Sequence, residues 1–154
     1  MPDGAAPKGR QTARNDRKNN GDHCHAFAST VGAGSVYSAL MAHVIDRDKW
    51  ARMPDRWQGE LECGAWGSNS CLIFNYLPGT GGGPRLHRHP YAEIFIVRQG
   101  SGLFTVGDRE IEAFAGQIVI VPPNTAHKFT NLGPGPLETI DIHENGSFVT
   151  EWLE

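Results

Sequence analysis

From Gly81 to Gly100 the chain reads GGGPRLHRHPYAEIFIVRQG, and this stretch decides the fold. A glycine loop is followed by an alternating run, His87 to Val97, that reads as a strand. Side chains two apart in a strand share a face, so His87 and His89 point the same way, and Glu93 joins them if the strand or its tight turn keeps register. Two imidazoles and a carboxylate on one face can bind a divalent metal and leave room for one more nitrogen donor. His127 is the best source: it follows the tight Pro122-Pro123-Asn124 turn and begins a strand in which Phe129 and Asn131 share its face. An isolated His-x-His pair is more often a surface pair or a satisfied core pair than a ligand pair, so the weight rests on the combination.

Outward from this stretch the pattern stays β. Cys71 to Leu77 is an apolar strand stopped by Pro78-Gly79. Leu103 to Val106 pairs through Gly107-Asp108 with Glu110 to Phe114 as a hairpin, and Gln117 to Val121 is a buried strand stopped by prolines. Two further strands follow, Ala126 to Asn131 and Leu137 to His143. Short strands bounded by Gly, Pro or Asn predict an all-β sandwich or barrel. One short helix is expected before it, Asp46 to Met53 (DRDKWARM), capped by Asp46 or Asp48 and ended by Pro54.

Length and charge narrow the rest. With 154 residues, 19 glycines and 10 prolines, one compact domain over 41–154 is the expectation. Residues 1–40 carry a net +2 and no sustained apolar period; they predict a disordered leader or an over-called start, with Met41 as the true one. A net charge of −3 argues against nucleic acid as the main partner, and no apolar run approaches the roughly 20 residues of a membrane span. Three cysteines, Cys24, Cys63 and Cys71, without a CxxC spacing, together with no clean secretory signal, suggest a reducing compartment, the cytoplasm.

The residues now on the page resemble the cupin superfamily. Its first motif is met by Gly81, His87, His89, Glu93 and Gly100, and its second by Gly116, Pro122, His127 and Asn131, within 51 consecutive positions. Asn124 stands where the family usually has Gly; Asn is the residue that best tolerates positive φ after Gly, so the turn is expected to survive. The fifteen residues from Ser101 to Ala115 are the short spacing of small single-domain bacterial members. The resemblance implies a double-stranded β-helix, or jelly-roll barrel, with the site inside.

By that resemblance His87, His89, Glu93 and His127 are the ligands of one divalent transition metal: Fe, Mn, Ni, Co or Zn. Three imidazoles and a carboxylate leave two open adjacent positions on a six-coordinate ion, suited to a small substrate that chelates through two oxygens. A dioxygenase-type oxidoreductase is the first expectation. A metal-dependent lyase or isomerase and a non-catalytic metal or small-ligand binding module are the alternatives, since the fold alone does not choose. A phosphosugar isomerase would need more cations than Arg85 and Arg88.

Auxiliary roles fall to Tyr91 as a proton donor, Glu93 as a base, and Phe74, Phe95, Phe104 and Phe129 as a substrate pocket, each with core packing as the plainer reading. Glu110, Glu112 and Asp141 read as solvated strand charges, and His143 as a strand-end residue. Ile94 and Ile96 alternate away from the metal-facing side and are expected to contribute to a homodimer surface.

Overall fold

The computed structural model describes residues 42–154; the expected leader and the start at Met41 lie outside the described residues. Ten strands run β1 (Gly59–Glu62), β2 (Cys71–Leu77), β3 (His87–Arg88), β4 (Glu93–Gln99), β5 (Ser101–Val106), β6 (Arg109–Phe114), β7 (Ile118–Val121), β8 (His127–Asn131), β9 (Leu137–His143) and β10 (Glu151–Trp152). They form two antiparallel five-stranded sheets, β1-β2-β9-β4-β7 and β10-β3-β8-β5-β6. The all-β jelly-roll expectation holds. No described helix is long and apolar enough to cross a membrane.

Period-two burial builds the interior. Glu93, Phe95 and Val97 of β4, His127, Phe129 and Asn131 of β8, and Leu137, Thr139, Asp141 and His143 of β9 are all buried, while their alternates are half-buried. Phe95 from the first sheet meets Phe104 and Phe129 from the second at ring-centroid distances of 5.3 and 5.5 Å, and Phe104 stacks on Phe129 at 5.3 Å. Contacts of this kind contribute about 0.5–1.5 kcal/mol each beyond their burial. Leu137, Val97, Val119, Val121 and Ala113 complete this core. On the outer face of the first sheet the register sets Ile94 against Ile142 and Ile120, and Ile96 against Ile140 and Ile118.

Three expectations need correction. The strand over 117–121 is not buried throughout: in β7 Val119 and Val121 face the core, while Ile118 and Ile120 are exposed. The helix over 46–53 is a single 3₁₀ turn, Arg47–Lys49, and the Asp46 side chain makes no capping bond. Tertiary packing overrides the local signal: the Trp50 ring lies 4.2 Å from that of Phe74, and Ala51 bridges to Gly59, which pulls the segment flat against the first sheet. The expected strand over 87–97 is broken into β3 and β4. Pro90 has no N–H for a ladder, and the His89 carbonyl is taken by the Asn124 N–H at 2.7 Å. The chain therefore passes from one sheet to the other between His89 and Glu93.

The turns behave as their residues dictate. Asn124 has φ 60°, the left-handed conformation expected of it in place of glycine. Gly100 has φ 78°, and a Cβ there would come within 2.3 Å of the Pro136 carbonyl oxygen, so no other residue fits.

Candidate metal centre

Three strands and the turn after the first bring the donors together. His87 lies on β3 and His89 just beyond it. Glu93 opens β4, and His127 opens β8, paired with His87 in register. One donor atom from each of His87, His89, Glu93 and His127 lies within 4.8 Å of all the others. All four residues are at most 6% exposed.

The backbone orients each imidazole. His87 Nδ1 meets the Arg85 carbonyl at 2.7 Å, His89 Nδ1 the Val149 carbonyl at 2.8 Å, and His127 Nδ1 the Thr125 carbonyl at 2.8 Å. A carbonyl only accepts, so each Nδ1 carries the proton, and in the neutral form of such a ring the lone pair is on Nε2, the tautomer a metal requires. His127 Nε2 then lies 2.7 Å from Glu93 Oε2, and His89 Nε2 3.2 Å from the same oxygen, with no hydrogen-bond partner for His89 Nε2 among the described residues. Lone pairs facing a carboxylate at such distances call for a cation among them, so the donor set fits a divalent metal.

Burial raises the pKa of Glu93, but the imidazoles of His127, His143 and His89 outweigh it and hold the carboxyl far below the usual carboxylate range. Burial lowers His87, favouring its neutral form. Burial also pulls His89 down, yet the neighbouring Glu93 carboxylate and the Val149 carbonyl carry it above its ordinary value, the opposite direction to His87.

His143 and Asp141 belong to this site, against the expectation for both. His143 pairs with Glu93 across β9 and β4, is 1% exposed, and brings Nε2 to 3.0 Å from Glu93 Oε1. That approach is close but lacks hydrogen-bond alignment, and neither ring nitrogen has a hydrogen-bond partner among the described residues. With His143 at Oε1, the oxygen Glu93 presents to the other imidazoles is Oε2. Asp141, 2% exposed, is a buried carboxyl rather than a solvated charge.

A cavity of about 570 Å³ opens on the cluster and is lined by His87, His89, Glu93 and His143 together with Phe95 and Phe129. Of the four phenylalanines expected to form a pocket, these two do so. Phe104 sits in the core, and Phe74 packs under Trp50 and Trp57 on the far side of its sheet. The Tyr91 ring stacks on His89, and its hydroxyl accepts the Val149 N–H at 2.9 Å and donates to the Val149 carbonyl at 3.2 Å, so it is committed to the chain's last segment and does not line the cavity. That segment also sets Phe148 edge-on to His143 and Trp152 against His87, both at 5.2 Å.

Residues 72–143 match the cupin domain family. An uncharacterized protein of Methanocaldococcus jannaschii is 36% identical over 56 residues, 36% of this chain and 45% of that protein. Among solved structures, a cupin-like protein of Thermotoga maritima is similar with a TM-score of 0.50 at 25% identity, over 55% of this chain and 65% of its own. Bacillus subtilis oxalate decarboxylase, a protein with Mn(II) centres, is similar with a TM-score of 0.56 at 19% identity, over 62% of this chain and 27% of its own. The chain thus spans less than two thirds of the length of each relative, and the last likeness is one of fold.

Proposed function

Residues 72–143 are a cupin domain, and on that premise we propose that this protein binds one divalent transition metal through His87, His89, Glu93 and His127 and is a dioxygenase-type enzyme acting on a small substrate that chelates through two oxygens. The observation that carries the metal assignment is the common arrangement of the three imidazoles, each with Nδ1 tied to a backbone carbonyl and Nε2 facing Glu93 or its neighbours. When bound, the metal supplies Lewis acidity and open positions for substrate and dioxygen.

The chain's own residues supply the setting. The carbonyls of Arg85, Val149 and Thr125 hold the rings in place, so little reorganisation accompanies binding. Phe95 and Phe129 give the cavity aromatic walls, Trp152 lies against His87, and Phe148 lies against His143. Glu93 stays ionised and acceptor-only.

The test is an oxygen-electrode screen of Fe(II)- and Mn(II)-loaded protein against flavonols, β-diketones, 2-keto acids and catechols. Substrate-dependent oxygen uptake that disappears in Glu93→Gln is the expected result. Substrate loss without oxygen uptake moves the assignment to a lyase or isomerase. Tight binding without turnover makes it a binding module.

A further inference from the structure

The cavity continues beyond the metal donors to a polar group that metal binding leaves unused. On β2 and β9 the register pairs Ile73 with Asp141 and Asn75 with Thr139, and cross-strand partners share a face, so all four stand on the inner side of the first sheet. Asp141 and Asn75 line the same cavity as His87, His89 and Glu93. Asn75 Nδ2 donates to Asp141 Oδ2 at 2.5 Å and also lies 3.2 Å from Thr139 Oγ1, which fixes the carboxyl plane. The second oxygen, Oδ1, is fully buried and has no hydrogen-bond partner among the described residues. Leaving such an atom unpaired costs about 1–3 kcal/mol, so a native protein that keeps one calls for an explanation. Neither the backbone pairing of β9 with its two neighbours nor the Asn75 bond, which uses Oδ2, accounts for Oδ1.

We propose that Asp141, anchored by Asn75, is a substrate subsite that takes a hydroxyl group of the ligand while the ligand's two chelating oxygens occupy the metal centre. The inference rests on the metal reading above and deepens it by naming the substrate class: a small chelating molecule with a further hydroxyl. A hydroxyl both donates and accepts, so it can satisfy Oδ1 whether the carboxyl is protonated or ionised. A site built to hydrogen-bond a hydroxyl rejects the analogue that lacks it, because its own buried group is then left unpaired.

The experiment uses the full chain loaded with Mn(II) and titrated calorimetrically with allomaltol and kojic acid, hydroxypyrones that chelate through the same adjacent oxygens and differ by one remote hydroxyl. Kojic acid should bind about tenfold more tightly, the worth of one hydrogen bond to a buried group. Asp141→Leu should abolish that preference, and Asp141→Asn, which keeps a donor at the same place, should retain it. Should Asp141→Leu fail to fold, Asn75→Ala is read in its place, and the preference should fall because the carboxyl loses its anchor. Equal binding of the two pyrones to the wild type, or a preference that survives Asp141→Leu or Asn75→Ala, overturns the subsite and leaves the metal reading standing. Failure of both pyrones to bind the Mn(II)-loaded protein overturns the chelating-substrate reading and the subsite with it, and leaves the metal assignment standing.

Discussion

Strands β8 and β9 lie in opposite sheets, each turns alternate residues inward, and each delivers one histidine to the same carboxylate. His127 at the start of β8 has Nδ1 bound to the Thr125 carbonyl at 2.8 Å and Nε2 at 2.7 Å from Glu93 Oε2. His143 at the end of β9 reaches Glu93 Oε1 at 3.0 Å, with Nδ1 tied to nothing among the described residues. Both rings approach Glu93, and what separates them is the anchor on the far nitrogen. A ring whose far nitrogen is fixed has its near nitrogen aimed, whereas a ring without that anchor does not. Behind the histidines the strands differ again: β8 continues with Phe129 in the aromatic core, β9 with Asp141 and Thr139 along a polar wall.

The largest expected effect separates the two histidines directly. His127→Ala should abolish metal binding, whereas His143→Ala should keep the metal and weaken it by about 10–100-fold, the usual effect of losing a group that orients a ligand. Competition against a calibrated chelator measures both. Equal loss in the two variants would make His143 a ligand and erase the distinction.

A second contrast concerns stability. Phe129→Ala should lower the free energy of unfolding by about 3–5 kcal/mol, because a ring shared between two sheets is lost from a packed core. Thr139→Val, a near-isosteric change behind the polar wall of β9, should cost far less. Urea titrations of metal-free protein compare them, and a large loss in Thr139→Val would show that the β9 wall is needed to hold the fold together.

Much of this organisation was legible in the sequence, and the exception has a physical cause. Cys71–Leu77 and Leu137–His143 carry their expected bounds, and the four donors named by the two motifs do converge. These were readable because turn residues mark strand ends and because histidines at strand spacing have few other uses. The β9 sequence LETIDIH is ambiguous in its facing: an apolar-inward rule places Ile140 and Ile142 in the core and leaves Asp141 and His143 in water. The structure adopts the opposite parity. Leu137 leads the inward set, and the isoleucines are half-buried beside Ile94 and Ile96 on the outer face. A strand that buries polar groups for a site violates the pattern used to find it. The missing helix at 46–53 has a different cause, since aromatic packing on Phe74 outweighed a cap.

The smallest effect sharpens the polar side of the comparison through pH. Asp141 has its pKa raised in the fold by burial and then by Glu93. As pH rises above about 4 the unfolded chain releases this proton while the fold retains it, so the unfolded state binds fewer protons and stability falls until the folded pKa is passed. Asp141→Asn has no such slope. In metal-free protein the variant and the wild type should differ least near pH 4, with the variant gaining up to about 1.4 kcal/mol per pH unit above it. A difference that stays constant from pH 4 to 8 would mean that Asp141 ionises freely in the fold.

The central claim is that three anchored imidazoles and one carboxylate form a metal centre. Elemental analysis of protein purified without a histidine tag tests it most directly, alongside a His87→Ala, His127→Ala double variant. The account predicts one transition metal per chain in the wild type and none in the variant. Wild-type protein that remains metal-free after reconstitution with Fe, Mn, Ni, Co and Zn in turn would contradict it.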